Sequence, residues 1–181
     1  FAIFNEDGSL KCLIECQGEQ HSGPVAEFGG EIQYNIQVQN DNLKKYIEQD
    51  ERIKYKFLNE NKGIAGNTNA AIEMATGEYI ALLDHDDLLT EDALFEMVKK
   101  IEEEKNAGKV AKVIFSDEDK CNSDGSKFFE PNFKPGYNKE LLFTNNYICH
   151  FSVFARELLE GTELFRSGFD GSQDHDMILR L

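Results

Sequence analysis

What the chain lacks narrows its identity first. No apolar run approaches the roughly 18–20 residues that a membrane-spanning helix needs. The start, Phe1-Ala2-Ile3-Phe4-Asn5-Glu6, has neither the basic opening of a signal peptide nor an initiator Met, which fits a processed chain or a piece of a longer one. Basic residues are scarce: 19 Lys+Arg stand against 34 Asp+Glu, a net charge of −15. So acidic a surface repels a polyanion, which disfavours nucleic acid as a partner. It does not exclude a nucleotide held through a divalent metal, because a bound cation inverts the local electrostatics. Of four cysteines only Cys12 and Cys16 lie close in sequence, and no second Cys/His pair accompanies them, so zinc chelation is disfavoured. On one strand their sulfurs would share a face about 13 Å apart, too far for a disulfide. A reduced, cytoplasmic setting follows as the default.

What is present suffices for one globular domain: 181 residues, 40% hydrophobic and 29% charged. Residues 1–49 differ from the remainder. Ala2-Ile3-Phe4 and Leu10–Cys16 predict two short strands, joined as a hairpin through Asn5-Glu6-Asp7-Gly8. Residues 17–30 are polar and Gly-rich, hence loop, and residues 31–49 carry a weak helical pattern through Ile36, Leu43 and Ile47. From residue 50 the alternation turns regular. Ile53–Leu58 alternates as a strand, and Gly66–Ala75 is a helix of small residues stopped by Thr76-Gly77. Tyr79–Leu83 is a strand. Thr90 caps a helix over Glu91–Glu104, with Glu91 and Asp92 suited to its positive end and Leu94, Phe95, Val98 and Ile101 as its core stripe. Val110–Phe115 is a further strand. This order predicts an α/β fold, a mostly parallel sheet with crossover helices. Ser116 opens a long irregular segment holding Pro131 and Pro135. A short helix at Lys139–Phe143, a strand at Cys149–Ala155 and a last helix from Gln173 follow.

Two clusters carry chemistry. Asp84-His85-Asp86-Asp87 follows directly on an apolar strand, where open α/β sheets bind ligands. Carboxylates crowded there repel one another unless a cation or a ring of donors neutralises them, so the cluster predicts a divalent metal holding phosphate oxygens. A capping turn in an acidic loop is the bland alternative. The second cluster is Asn61-Lys62-Gly63-Ile64-Ala65-Gly66-Asn67-Thr68-Asn69. Glycines and small residues at a helix start let a ligand approach backbone N–H groups, making Asn61, Gly63, Gly66 and Asn69 candidate donor-binding positions. Close packing of the small residues is the competing reading.

These segments, with Ala75-Thr76-Gly77-Glu78-Tyr79-Ile80-Ala81-Leu82-Leu83-Asp84-His85-Asp86-Asp87, resemble the family 2 glycosyltransferases, which have the nucleotide-sugar-binding GT-A fold. Three later stretches are similar to the same family. Phe115-Ser116-Asp117-Glu118-Asp119-Lys120 resembles its "SDED" strand end. Pro131-Asn132-Phe133-Lys134-Pro135 and Asn145-Asn146-Tyr147-Ile148-Cys149-His150 resemble its acceptor-side segments. Gly168–Asp176 resembles the acidic motif that carries the catalytic base. The resemblance runs from residue 50 to the end. It implies a nucleotide-diphosphate sugar donor with Mg²⁺ or Mn²⁺, and a glycan or lipid-linked acceptor in polysaccharide biosynthesis. Asp86 would ligate the metal. Asp84 would join it or contact the ribose or sugar side. Asp174 would take the acceptor hydroxyl's proton in an inverting transfer. Asp176 is the alternative base, but on a helix it sits about 200° from Asp174, so both cannot face one ligand. Asp117, Glu118 and Asp119 are acceptor-side candidates or a solvated turn. His150 lines the acceptor site or sits satisfied in the core, and His175 is equally ambiguous. Peripheral association with the inner face of the cell membrane would run through segments outside this chain. A non-catalytic GT-A remnant is the alternative, and the motifs do not distinguish donor sugars, bases or oligomeric states.

The first third departs from that family, whose members open with an apolar "SIIIP" strand, a helix and a second strand ending in an Asp; none of these occurs in residues 1–49. Instead Leu13-Ile14-Glu15-Cys16-Gln17-Gly18-Glu19-Gln20-His21, with Asn40-Asp41-Asn42-Leu43-Lys44, resembles very-short-patch-repair-like endonucleases, which would make Glu15 and His21 metal or acid/base candidates. Against 8 Asp+Glu this segment has 3 Lys+Arg, a net −5 that suits DNA poorly. Surface groups on a hairpin and loop are the favoured reading. The division expected is an atypical segment 1–49 joined, near residues 41–50, to a GT-A domain over 50–181.

Overall fold

A computed structural model describes residues 2–4, 10–15, 52–56, 58, 60–84, 87–122 and 124–181, the first two ranges as backbone. Its strands are β1 (Ala2–Phe4), β2 (Leu10–Glu15), β3 (Ile53–Tyr55), β4 (Tyr79–Leu82), β5 (Val113–Phe115), β6 (Glu118–Cys121), β7 (Phe128–Asn132) and β8 (Ser152–Ala155). Its helices are α1 (Gly63–Met74), α2 (Ala93–Asn106), α3 (Lys139–Thr144), α4 (Arg156–Glu160) and α5 (Gln173–Arg180), with a 3₁₀ turn at Ser167–Phe169. The expected helical pattern over 31–49, the hairpin turn, Cys16 and His21 lie outside the described residues.

Six strands form one sheet in the order β3-β2-β1-β4-β8-β5. β2 and β3 pair in parallel, whereas β1 and β8 each run antiparallel to both neighbours. Hence β3, β2, β4 and β5 share one direction. The crossovers β3-α1-β4 and β4-α2-β5 were legible in the sequence, but the strands they join are not adjacent: β1 and β2 separate the first pair and β8 the second. β1 and β2 form the expected antiparallel hairpin, with Ala2 opposite Leu13, and β1 also pairs with β4.

The centre of the sheet is apolar on both faces, as a strand covered on both sides must be. Ile80, Ala81 and Leu82 of β4 and all four residues of β8 are buried. Because side chains alternate, Ile80, Leu82 and Phe154 meet one layer, with Ala65, Ala71 and Ile72 of α1 and Met177 and Ile178 of α5. Ala81 and Val153 meet the other, against Met97 of α2. The small residues of α1 are thus packing residues: Ala65 and Ala71 are fully buried, and their size seats the helix close to the sheet.

Three expectations need correcting. The buried position of α2 is Met97, while Phe95 is exposed beneath the Lys99 ammonium, so the stripe runs through 94, 97, 98 and 101. Thr90 is not the cap of α2: the helix starts at Ala93 with Asp92 at its N-cap, and Thr90 lies in the preceding turn, where its carbonyl accepts from the Ala93 amide at 3.1 Å. The segment after Ser116 is not irregular; β6 and β7 make a two-stranded hairpin with Lys120 opposite Phe129. Pro131 is tolerated there because a strand in a two-stranded ribbon has an edge that needs no donor. Among the described residues no helix is long and apolar enough to cross a membrane.

Candidate active site

The register of β8 on β4 builds the site. Leu82 pairs with Ser152, and the strands run antiparallel, so the residues after Leu82 face those before Ser152. His150 thereby meets Asp84, with Nε2 3.7 Å from Asp84 Oδ2, and its Nδ1 lies 3.9 Å from Asp87 Oδ2. β5 also pairs with β8, so Ser116 joins the same end: its amide donates to the Phe151 carbonyl at 3.2 Å. The helix α5 adds Asp174, whose Oδ2 lies 4.0 Å from His150 Nε2. Three carboxylates therefore surround one imidazole at the carboxyl ends of β4 and β5.

Asp84, Asp87 and His150 can each offer one ligand atom, all within 4.8 Å of one another. Two hard oxygens and one imidazole nitrogen suit a divalent ion such as Mn²⁺ or Mg²⁺. Asp86, the ligand expected from the sequence, and His85 lie outside the described residues. Asp87, not singled out as a ligand, is brought in by the turn in which its amide donates to the Asp84 carbonyl at 3.2 Å. The signal for His150 was available in the sequence as strand register, but only with the β4–β8 pairing in hand.

Asp174 is only 25% exposed and accepts from Gln173 Nε2 at 3.1 Å. Burial pushes its carboxyl above the usual carboxylate range; the neighbouring His150 pulls the other way and the charge of Asp84 adds to the rise. A carboxylate so poised is a better proton acceptor than an exposed one. Cys149 is no competitor as a nucleophile, since burial, with Asp174 nearby, pushes its thiol up to about 11. Asp176 points elsewhere. Its side chain is 8% exposed and paired with the guanidiniums of Arg166 and of Arg180, the latter at 3.0 Å. The hydrogen bond from Arg166, and then those from Arg180, hold its carboxyl below the usual range against the effect of burial. Asp176, the alternative base expected from the sequence, is thus held by two cations, which makes it a weaker proton acceptor than Asp174. His175 hydrogen-bonds the Leu142 carbonyl through Nε2 at 2.5 Å and so ties α5 to α3.

The start of α1 is closed by the protein itself. Gly63 has φ +74°, and a Cβ there would stand 2.5 Å from Asp170 Oδ2. Asp170 Oδ1 accepts from the Ala65 amide at 3.0 Å. Asn61 Oδ1 accepts from the Gly63 amide at 2.9 Å and from Asn67 Nδ2 at 3.1 Å. Asn69 pairs with the backbone of Phe165 in both directions, at 2.8 and 3.0 Å. A Cβ at Gly66 would meet Lys62 Cβ at 2.5 Å. Asn61, Gly63, Gly66 and Asn69, where a ligand was expected to approach the backbone, are thus engaged with the protein's own groups. The helix end that would attract an anion holds the Asp170 carboxylate, and Gly63 admits it. Asp170, not singled out in the sequence, anchors the loop that leads into Asp174.

Of the residues expected on an acceptor side, Asp117 accepts through Oδ1 from the Lys134 amide at 2.8 Å. Glu118 accepts from Asn132 Nδ2 at 2.9 Å and pairs with Lys134 Nζ at 2.9 Å. Asp117 and Glu118 thus hold the segment after β7 in place. Asp119, His150, Asp87 and Leu88 line a cleft of about 1020 Å³ between the β4–α2 loop and the β6–β7 hairpin. Glu15 ends β2, and its side chain lies outside the described residues.

The sequence profile of glycosyl transferase family 2 matches residues 40–162. The uncharacterized protein y4gI of Sinorhizobium fredii is 45% identical over 138 residues, which cover 76% of this chain and 15% of that protein. The O-antigen biosynthesis protein RfbC of Myxococcus xanthus is 30% identical over 139 residues, 77% of this chain and 10% of that protein. Chondroitin synthase of Pasteurella multocida is 31% identical over 121 residues, 67% of this chain and 12% of that protein. The chain spans 10–15% of the length of these relatives.

Proposed function

This chain belongs to glycosyl transferase family 2, and on that premise we propose that its cleft transfers a sugar, with inversion, from a nucleotide-diphosphate sugar to a hydroxyl of a glycan or lipid-linked acceptor. The observation that carries the reading is the convergence of Asp84, Asp87 and Asp174 on His150 at the end of β4. Relatives named for O-antigen biosynthesis and chondroitin synthesis support a place in polysaccharide assembly. Asp84, Asp87 and His150, with Asp86 beside them in sequence, would hold Mg²⁺ or Mn²⁺. Such an ion, when bound, offsets the charge that builds on the departing diphosphate.

The protein's own groups do the remainder. Asp174 accepts the proton of the attacking hydroxyl, its basicity raised by burial. Gln173 holds that carboxylate by its amide, and Asp170 fixes the loop that precedes both. Asp119 and the cleft wall face the acceptor. The site would act in the cytoplasm, at the inner face of the membrane when the acceptor is lipid-linked.

A second reading, a module of the same fold without donor binding, draws on one observation: Asp170 occupies the start of α1, where a donor phosphate was expected. Calorimetric titration with a panel of nucleotide diphosphates in the presence and absence of Mn²⁺ separates the two. Metal-dependent binding that Asp84→Asn and His150→Ala each abolish supports the transferase. Binding indifferent to both substitutions overturns the metal assignment, and no binding to the wild type favours the second reading. For an active preparation, the anomeric configuration of the product by NMR decides inversion against retention.

A further inference from the structure

Lys134 has the least exposed side chain of the ion pairs among the described residues, and the proposed reaction does not use it. Its side chain is 1% exposed, yet it carries an ammonium. Nζ lies 2.9 Å from Glu118 Oε2 and donates to the main-chain carbonyl of His150 at 3.1 Å. Its own amide donates to Asp117 Oδ1 at 2.8 Å. The other oxygen of Glu118 accepts from Asn132 Nδ2 at 2.9 Å, so the counter-ion is itself held. The counter-ion reaches solvent, its side chain 38% exposed, but the ammonium does not. Burying a charge is costly, and an apolar side chain of similar volume would usually fill such a place as well or better. The charge therefore calls for a task that an apolar side chain cannot perform, and the groups it joins indicate one. It links the turn after β5 (Asp117), the start of β6 (Glu118), through Glu118 the end of β7 (Asn132), and the loop before β8 (His150). Of these, His150 stands within 4.0 Å of Asp84, Asp87 and Asp174.

We propose that Lys134 is the positioning residue of the cleft: its ammonium, fixed by Glu118, holds the His150 main chain so that the imidazole stands among Asp84, Asp87 and Asp174. Holding the backbone leaves both ring nitrogens free for the carboxylates or a metal. That is a different arrangement from the usual one, in which a partner grips the second ring nitrogen. Part of the test rests on the metal reading given above, and part does not.

Lys134→Met keeps the length and removes the charge. The histidine Cε1–H cross-peaks report ring environment without any metal; His21, His85 and His175 are the other three. Assignment of the His150 peak through His150→Gln is straightforward. In Lys134→Met the His150 peak is expected to move or split while the His175 peak stays, and Mn²⁺ affinity should fall about tenfold, as supporting groups behind a ligand typically cause. Lys134→Arg, which keeps donors and charge, should recover part of both. A His150 peak that stays put, with Mn²⁺ affinity within about twofold of wild type, overturns the proposal. If the wild type binds no Mn²⁺, the metal reading fails and the His150 peak alone decides. Should Lys134→Met not fold, Lys134→Gln takes its place: the charge is removed and the polar end shortened, and the same displacement of the His150 peak is expected, with an unmoved peak counting against.

Discussion

The carboxylate of Asp170 accepts a hydrogen bond from the Ala65 amide at 3.0 Å, across 105 residues of sequence. One end of α1 is therefore capped by the loop that leads to α5. Helix starts leave amides without intrahelical partners, and a carboxylate there also meets the positive end of the dipole. Asp170→Ala should lower stability by about 1 kcal/mol, the usual loss on removing a cap. Asp170→Asn, which keeps an acceptor, should lose less. Urea denaturation of the three proteins gives the ordering, and equal midpoints would show that the contact contributes nothing.

Gly63 admits that carboxylate. At φ +74°, any other L-residue is strained, and a Cβ would in addition press on Asp170 Oδ2 at 2.5 Å. Gly63→Ala should therefore cost more than the roughly 1 kcal/mol of backbone strain alone. In an Asp170→Ala background the steric part disappears and only the backbone part remains. The two substitutions should thus be less damaging together than the sum of their separate effects, which a double-mutant cycle in urea measures. Additive effects would mean that the clash is relieved some other way.

Asp176 gives a pH signature away from the cleft. Arg166 and Arg180 hold its carboxyl below the usual range, so the folded state binds its proton more weakly than the unfolded chain. By linkage, that stabilisation is present above the ordinary aspartate pKa and is lost as pH falls through the lowered folded value. Asp176→Asn should be less stable than wild type at neutral pH, with the difference vanishing in acid. Denaturation midpoints across pH test this, and a constant gap at every pH would assign the loss to packing instead.

The parts of the fold that the sequence discloses are those whose pattern is local. The strand–helix order from Ile53 to Phe115 is written in apolar periodicity, and so are the hairpin β1–β2 and the start of α5 at Gln173. The acidic strand end was equally plain, because three carboxylates after Leu83 need an explanation wherever they fall. What stayed hidden depends on pairing between distant segments. Nothing in Asn145–His150 says that Ser152 lies opposite Leu82, and that register is what brings His150 to Asp84. The cap at Ala65 likewise needs a carboxylate from far along the chain, so the glycines at 63 and 66 looked like a place for a phosphate. Phe95 failed as a core residue because it sits about 160° round the helix from Met97, the position turned to the sheet.

Asp174 is where stability and chemistry should part. Burial raises its carboxyl above the usual range, so the folded state binds its proton more tightly than the unfolded chain does. The stability this group contributes is then fully present below the ordinary aspartate pKa and is lost as pH rises through the raised folded value. At neutral pH the ionised carboxylate, partly desolvated and close to Asp84, costs the fold stability. Asp174→Asn removes that cost while keeping shape and an acceptor oxygen, so the variant should be more stable than wild type at neutral pH and indistinguishable from it in acid. If Asp174 is the base, the same substitution should lower kcat for sugar transfer by about 10²–10⁴-fold with donor affinity little changed. A variant that is both more stable and nearly inactive is what a strained functional carboxylate predicts. One that is less stable at neutral pH would contradict the burial argument, and one that transfers sugar at the wild-type rate would remove Asp174 from the reaction.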